Sequence, residues 1–146
     1  MSSTPALNGQ VIGRAHHATR ALLERELART GTSFQQSLAL NATHAAGGEI
    51  APEQLAGQLV AGLKIARPAA EAVVAELVAA GLLAPAEGGR LRLSETGTEL
   101  GRSIREATAA LVTRLYAGFP ADQLETAARL LTAITERADA ELAAAA

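Results

Sequence analysis

The chain has 146 residues, 49% of them hydrophobic and 19% charged, a formal net charge of −2 at pH 7 and no cysteine. This excludes disulfides, thiolate metal ligands and cysteine nucleophiles, and a length near the commonest domain size of about 100 to 150 residues favours a single domain. No apolar run approaches the ~20 residues of a membrane span, and Met1-Ser2-Ser3 shows no basic start of a secretory signal, so we expect a cytoplasmic protein without a membrane partner.

The apolar residues of the first 80 positions recur mostly at three- or four-residue spacing, which predicts four helices. Each predicted helix begins with residue types that favour a helix start, Ser, Thr or Pro, and Gly follows the first, second and fourth. The bounds are Thr4-Pro5 to Gly31, Thr32 or Ser33 to Gly47-Gly48, Ala51-Pro52 to about Leu63, and Pro68 to Ala80-Gly81, with Lys64-Ile65-Ala66-Arg67 as a tight turn before the fourth helix.

After Gly81 the spacing of apolar residues changes to two residues, which is the period of a β-strand. Leu82-Leu83-Ala84 and Arg90-Leu91-Arg92-Leu93 predict two short strands, and Pro85-Ala86-Glu87-Gly88-Gly89 predicts the tip of a hairpin between them. In the second strand the basic residues alternate with apolar ones, which predicts that the arginines face solvent.

Helical spacing returns in the last third of the chain. Thr96-Gly97-Thr98-Glu99 has the form of a capping box, in which side chains pair the N–H groups at a helix start. A long fifth helix is predicted from there to Gly118-Phe119-Pro120, and a sixth from Ala121 or Asp122.

This order of elements is typical of a winged helix-turn-helix with additional helices at both ends. We therefore expect a mainly α fold in one domain, residues 1–146, with a small β-hairpin wing. The winged-helix part covers about 32–95, and N- and C-terminal dimerisation helices cover about 4–30 and 98–142. The apolar stripes of these terminal helices exceed what a small core needs, so we expect a homodimer.

Four short motifs stand in a distinctive order along the chain. They are Gly31-Thr32 with Gln35 or Gln36, Gln58-Leu59-Val60 through Ile65, Glu76-Leu77 with Gly81-Leu82-Leu83, and Leu93-Ser94-Glu95-Thr96-Gly97. In order and spacing the chain resembles transcriptional regulators of the multiple antibiotic resistance regulator (MarR) type over nearly its whole length. The resemblance implies a dimer bound to a pseudo-palindromic operator in double-stranded DNA, commonly a repressor that a small aromatic or lipophilic ligand releases.

The resemblance places DNA contacts on the tight turn, the fourth helix and the second strand. Lys64 and Arg67 lie beside a helix start, where backbone N–H groups also favour phosphate, and Arg90 and Arg92 lie on the solvent side of the wing. An ordinary charged surface is the alternative for all four basic residues. The candidate DNA-binding residues are Lys64, Arg67, Pro68, Ala69, Glu71, Ala72, Arg90 and Arg92.

The fourth helix departs from the pattern of the family. Family members usually offer Ser, Thr and Arg at its start, whereas Pro68, Ala69 and Ala72 give base edges almost nothing to bond. Glu71 either accepts from cytosine or is simply a favourable acid in a first helical turn. The alternative function is therefore a winged-helix module that binds a protein or a small ligand and has lost sequence-specific DNA readout.

The histidines are the remaining candidates for binding a metal ion or a small ligand. His16 and His17 are neighbours on a helix and point about 100° apart, so they do not share one ion, and we predict no metal site and no cofactor. His16 and His44 are weak candidates for the ligand pocket that the resemblance implies beneath the first, second and fifth helices, and exposed or interface histidines are the alternative. The sequence holds no nucleophile elbow, phosphate loop or dinucleotide motif, so we do not expect an enzyme.

Overall fold

The computed structural model describes residues 6–145. Its helices are α1 Gly9–Leu27, α2 Phe34–Ala45, α3 Pro52–Leu63, α4 Arg67–Ala79, α5 Glu95–Tyr116 and α6 Ala121–Ala145, and its strands are β1 Glu49–Ile50, β2 Leu83–Pro85 and β3 Leu91–Leu93. The predicted mainly α winged-helix fold is confirmed. No helix within these residues combines the length and the apolar character that crossing a bilayer requires.

The first helix begins later than predicted. Thr4 and Pro5 lie outside the described residues, and α1 begins at Gly9. Asn8 is the N-cap, because its side-chain oxygen accepts a hydrogen bond from the backbone N–H of Val11 at 2.9 Å. At the other end Gly31 adopts the left-handed conformation, with φ 68°, after a short 3₁₀ turn.

The cap of α2 is Ser33, one of the two residues predicted for this place. Its hydroxyl accepts from the backbone N–H of Gln36 at 3.1 Å, and the side-chain oxygen of Gln36 accepts from the backbone N–H of Ser33 at 3.1 Å. This reciprocal pair fixes the start of α2.

The wing is part of a three-stranded sheet, so the prediction of a two-stranded hairpin is incomplete. The strands are antiparallel in the order β1-β3-β2, and Glu49 pairs with Arg92 while Ile50 pairs with Leu91. A strand of two residues has no alternation to reveal it in a sequence. The hairpin itself, β2 and β3 with the tip between them, is called the wing below and covers residues 83–93.

The start of α5 also differs from the predicted capping box at Thr96-Gly97-Thr98-Glu99. The helix begins at Glu95, and its cap is Ser94, whose hydroxyl accepts from the backbone N–H of Gly97 at 2.9 Å. The same hydroxyl donates to the carbonyl oxygen of Gly81 at 2.6 Å. Ser94 therefore joins the end of β3 to the turn that follows α4.

The core lies between α2, α3, α4 and the inner face of the sheet. The buried residues of α3 and α4 recur mostly three or four apart, as on one face of a helix, and each strand contributes one residue. The buried apolar residues of this core are Ala39, Leu40, Ile50, Leu55, Ala56, Leu59, Ala70, Val73, Val74, Leu77, Leu83 and Leu91.

The chain divides after Leu111 into two compact units. The second unit holds the end of α5 and all of α6. None of residues 121–144 in α6 is buried, and Leu131 and Ile134 on one side of the helix are each 40% exposed. Polar residues such as Glu125, Arg129 and Glu136 lie on the other side, so α6 is amphipathic with an uncovered apolar face in the single chain.

Candidate nucleic-acid interface

The turn between α3 and α4 depends on an unusual backbone conformation at Lys64. This residue has a left-handed φ of 57°, and its N–H donates to the carbonyl of Val60 at 2.9 Å, which ends α3. The ammonium group also donates to the carbonyl of Ala61 near the end of the helix. Left-handed backbone at a residue other than Gly is uncommon, and no pattern in the sequence indicated it.

Helix α4 presents two different faces. Its buried face consists of Ala70, Val73, Val74 and Leu77, which pack into the core. Its exposed face begins with Arg67, which is the first residue of the helix. The sequence analysis had placed Arg67 at the end of the preceding turn, and this boundary was wrong by one residue. The other predicted DNA-binding residues of this helix are all exposed: Pro68, Ala69, Glu71 and Ala72.

The charge of Arg67 at the start of α4 is partly offset within the helix. A guanidinium nitrogen of Arg67 lies 3.9 Å from a carboxylate oxygen of Glu71, one turn further on. Both side chains are more than half exposed, so this pair is weak and a polyanion can compete for Arg67. Glu71 therefore has an ion-pair partner in its own helix.

Both arginines of the wing are exposed, as predicted, but their surroundings differ. Arg90 contacts Glu49 of β1 twice: Nε lies 3.3 Å from a carboxylate oxygen, and Nη2 donates to the backbone carbonyl at 3.2 Å. Arg92 makes no ion pair within the described part of the chain. Sequence reasoning missed Glu49, because only the pairing of β1 with β3 brings it beside the wing.

A hydrogen bond connects α2 to the exposed side of α4. The amide nitrogen of Gln36 donates to a carboxylate oxygen of Glu76 at 2.9 Å. Both residues belong to motifs on which the family resemblance was based. The bond joins the capped start of α2 to the third turn of the candidate DNA-reading helix.

A cavity of about 310 Å³ opens between α1, α2 and α5. Leu23, Leu38 and Ile104 supply apolar lining, and Asn41 and Arg105 supply polar lining. The Arg105 guanidinium lies back along α5 over Gly101, whose missing side chain leaves room for it. Within residues 6–145 no carboxylate forms an ion pair with Arg105.

A neighbouring arginine of the same helix, in contrast, is paired with carboxylates. Arg102, on the outer side of α5, binds both Glu99 and Glu106. Hydrogen bonding from Arg102 and its positive charge hold the pKa of the Glu99 carboxyl below its ordinary value. The outer arginine is thus satisfied by its own helix, whereas the partly buried Arg105 faces the cavity without an anion.

The histidines lie outside this cavity lining. His16 is exposed and packs edge-on to Phe34 with ring centres 6.4 Å apart, and Arg20 stacks on the same ring at 4.2 Å. His44 is exposed in the last turn of α2. The roles of His16 and His44 in ligand binding stay predictions. Among the residues that the structure describes, no cluster of three metal-ligating side chains occurs.

Solved structures provide the comparison for this arrangement. Reduced MarR from E. coli matches with a TM-score of 0.68 and 19% identity over 90% of this chain and 95% of that chain. The organohalide-sensing transcriptional regulator RdhR in its 2,4-dichlorophenol-bound form matches with a TM-score of 0.76 and 18% identity over 94% and 89%. NadR in complex with 4-hydroxyphenylacetate matches with a TM-score of 0.72 and 20% identity over 88% and 95%.

These likenesses show that the chain has the fold of MarR-type regulators. At identities of 18 to 20% a shared fold does not by itself imply a shared activity, which depends on the residues of the site. No protein-family model matches the sequence, and no curated protein matches it either.

Proposed function

We propose that this protein is a homodimeric, ligand-responsive transcriptional regulator of the MarR type that binds a pseudo-palindromic site in double-stranded DNA. The observation that carries the proposal is the winged helix itself, with α4 exposed along one face and Lys64, Arg67 and Arg92 exposed on the turn, on the helix and on the wing. In this mode α4 enters the major groove and the wing lies along the neighbouring backbone, with half-sites about one helical turn apart.

The proposed regulation is repression that a small organic molecule relieves. The ligand site would be the cavity between α1, α2 and α5, since two regulators of the same fold carry 2,4-dichlorophenol and 4-hydroxyphenylacetate in their structures. A ligand changes DNA affinity only by binding two conformations unequally. The bond from Gln36 to Glu76 offers a direct connection from α2, which lines the cavity, to α4.

The test of DNA binding is a gel-shift titration with DNA from upstream of the protein's own gene, at about 50 mM salt, against a random duplex of equal length. Retardation of the upstream DNA at lower protein concentration than the random DNA supports the proposal. Absence of retardation of either DNA contradicts it.

Replacing Arg92 with Ala should weaken binding to all DNA sequences alike. The loss of one phosphate contact per wing should flatten the plot of log binding constant against log salt concentration by about 0.9 for each contact. Fluorescence anisotropy at four salt concentrations measures this slope, and Arg114→Ala in α5 serves as a control of equal charge. An unchanged slope for Arg92→Ala would show that the wing does not touch phosphate.

Replacing Arg105 with Leu should weaken the binding of ligands that carry a carboxylate. An anion paired with a partly buried guanidinium gains a charge-assisted hydrogen bond, so we expect at least about tenfold weaker binding of 4-hydroxyphenylacetate. Thermal shift with this probe and with 2,4-dichlorophenol, which has no carboxylate, measures the effect. Equal shifts of wild type and variant with the carboxylate probe would contradict the role of Arg105.

One set of observations favours the alternative function, a winged-helix module without sequence-specific DNA readout. The exposed face at the start of α4 is mostly Pro68, Ala69 and Ala72, and both Arg67 and Arg90 lie beside carboxylates of their own chain. Residues 49–95 contain four basic and six acidic side chains. This alternative predicts a dimer that binds the ligand probes but retards neither DNA.

A further inference from the structure

The inference concerns Glu49, the acidic residue of β1, and it rests on the proposed DNA binding. In strands β1 and β3 directly opposite residues share a face, and Glu49 lies opposite Arg92. Arg90 lies two residues before Arg92 and therefore on the same outer side. The outer face of the sheet thus carries two guanidinium groups and one carboxylate.

The carboxylate is bound to one of these groups in particular. Arg90 reaches Glu49 through Nε at 3.3 Å from Oε2 and through Nη2 at 3.2 Å from the backbone carbonyl. The side chains are 44% and 47% exposed, so both remain accessible to a polyanion. Arg90 still has N–H groups that these two contacts do not use.

We infer that Glu49 restrains the binding of the wing to DNA phosphates by compensating the charge of Arg90. If the pair stays intact on DNA, the Glu49 carboxylate approaches the phosphates and is repelled. If the pair breaks, the attraction between Arg90 and Glu49 is lost, and this loss offsets part of what Arg90 gains from a phosphate. While the pair is intact, Arg90 neutralises no phosphate, so the wing releases counterions through Arg92 alone.

The replacement Glu49→Gln separates charge from positioning. The backbone carbonyl of residue 49 still accepts from Arg90 Nη2, so the guanidinium keeps this hydrogen bond while the negative charge is removed. Binding to a random-sequence duplex should become about three- to tenfold tighter at ~100 mM salt, and the salt slope should steepen by up to about 0.9 per wing. Glu49→Ala should act in the same direction. The control is Glu125→Gln in α6, which removes one charge from another ion pair, Glu125 to Arg129 at 3.8 Å.

A double-mutant cycle then attributes the effect to Arg90. Arg90→Ala should flatten the slope more strongly in the Glu49→Gln background than in the wild type, because only there is the charge of Arg90 uncompensated. Anisotropy of a labelled random duplex, measured with the full chain at four salt concentrations, gives all these slopes. A wild-type slope in Glu49→Gln, weaker binding in Glu49→Ala, or an equal gain in Glu125→Gln would each overturn the inference.

This experiment also distinguishes the inference from the proposal beneath it. If the wild type binds DNA and Glu49→Gln binds identically, the restraint by Glu49 is refuted and the regulator proposal stands. If neither the wild type nor any variant binds DNA at low salt, the restraint by Glu49 and the proposed DNA binding are both refuted.

Discussion

Replacing Gly97 with Ala should destabilise the folded protein by about 3 kcal/mol or more, the largest effect that we expect from a single methyl group in this chain. An added Cβ at this position would lie 2.0 Å from the carbonyl oxygen of Leu82, 3.0 Å from its carbonyl carbon and 3.2 Å from its Cα. All three atoms are backbone, so no side-chain rotation relieves the clash. The start of α5 or the entry to β2 would have to move.

Thermal unfolding at fixed protein concentration measures this effect, with an expected fall in Tm of roughly 6 to 12 °C. Gly62→Ala is the matched control. Gly62 lies in α3, and apart from its chain neighbours and its own helix backbone no atom lies within 4 Å of an added Cβ, so alanine there should stabilise the protein by about 0.5 to 1 kcal/mol. A Gly97→Ala variant as stable as the wild type would mean that the close approach of α5 to Leu82 is not maintained in solution.

Replacing Ile134 with Asp should convert the proposed homodimer into a monomer at micromolar concentration. Ile134 belongs to the uncovered apolar face of α6, with Leu131, Leu130 and Leu142 as further exposed apolar residues of that helix. In a two-fold interface every substitution occurs twice, and a carboxylate buried against apolar groups costs several kcal/mol per copy. Sedimentation velocity across a range of concentrations measures the change in mass.

Thr132→Asp is the control for this prediction. Thr132 is exposed on the same helix, two residues before Ile134 and roughly 160° away around the axis, so it receives the same charge on a different side. We expect Thr132→Asp to remain a dimer. A wild type that sediments as a monomer, or an Ile134→Asp variant that remains dimeric, would remove this face from the proposed interface.

The dimer prediction has a consequence for DNA binding. Two half-sites are bound together only while two copies of α4 are held at a fixed separation, because the second contact is then intramolecular. Ile134→Asp should therefore lose affinity for a two-half-site DNA and keep the weak affinity of one copy for random DNA. Gel shift with both DNAs distinguishes this result from loss of folding.

The elements that the sequence predicts well are those with a long local pattern. The spacing of apolar residues identified each α-helix from α1 to α6, and Gly31 and Ser33 marked a helix end and a helix start because backbone conformation and capping are local. The exposure of Arg92 followed from alternation in β3. The capping box predicted at Thr96 was wrong because Ser94, two residues earlier, is the cap: its hydroxyl accepts from the N–H of Gly97 and donates to the carbonyl of Gly81.

The geometry of the candidate site depends more on contacts between residues that are far apart in the sequence. The sequence placed Arg90 on the solvent side of a strand, but only the pairing of β1 with β3 put the carboxylate of Glu49 beside it, 41 residues away along the chain. Arg105 was not predicted at all, since its position facing a cavity depends on how α1 and α2 pack against α5.

The amino-acid sequence by itself thus determined the order and type of the elements, and with them a winged helix, because periodicity, caps and glycines act over a few residues. The tertiary structure decided which charges are compensated, where α5 approaches β2 too closely for any residue but Gly97, and which apolar face remains uncovered. These properties depend on distances between atoms far apart in the chain, and a distance of a few ångströms decides whether a guanidinium is paired or left for a ligand.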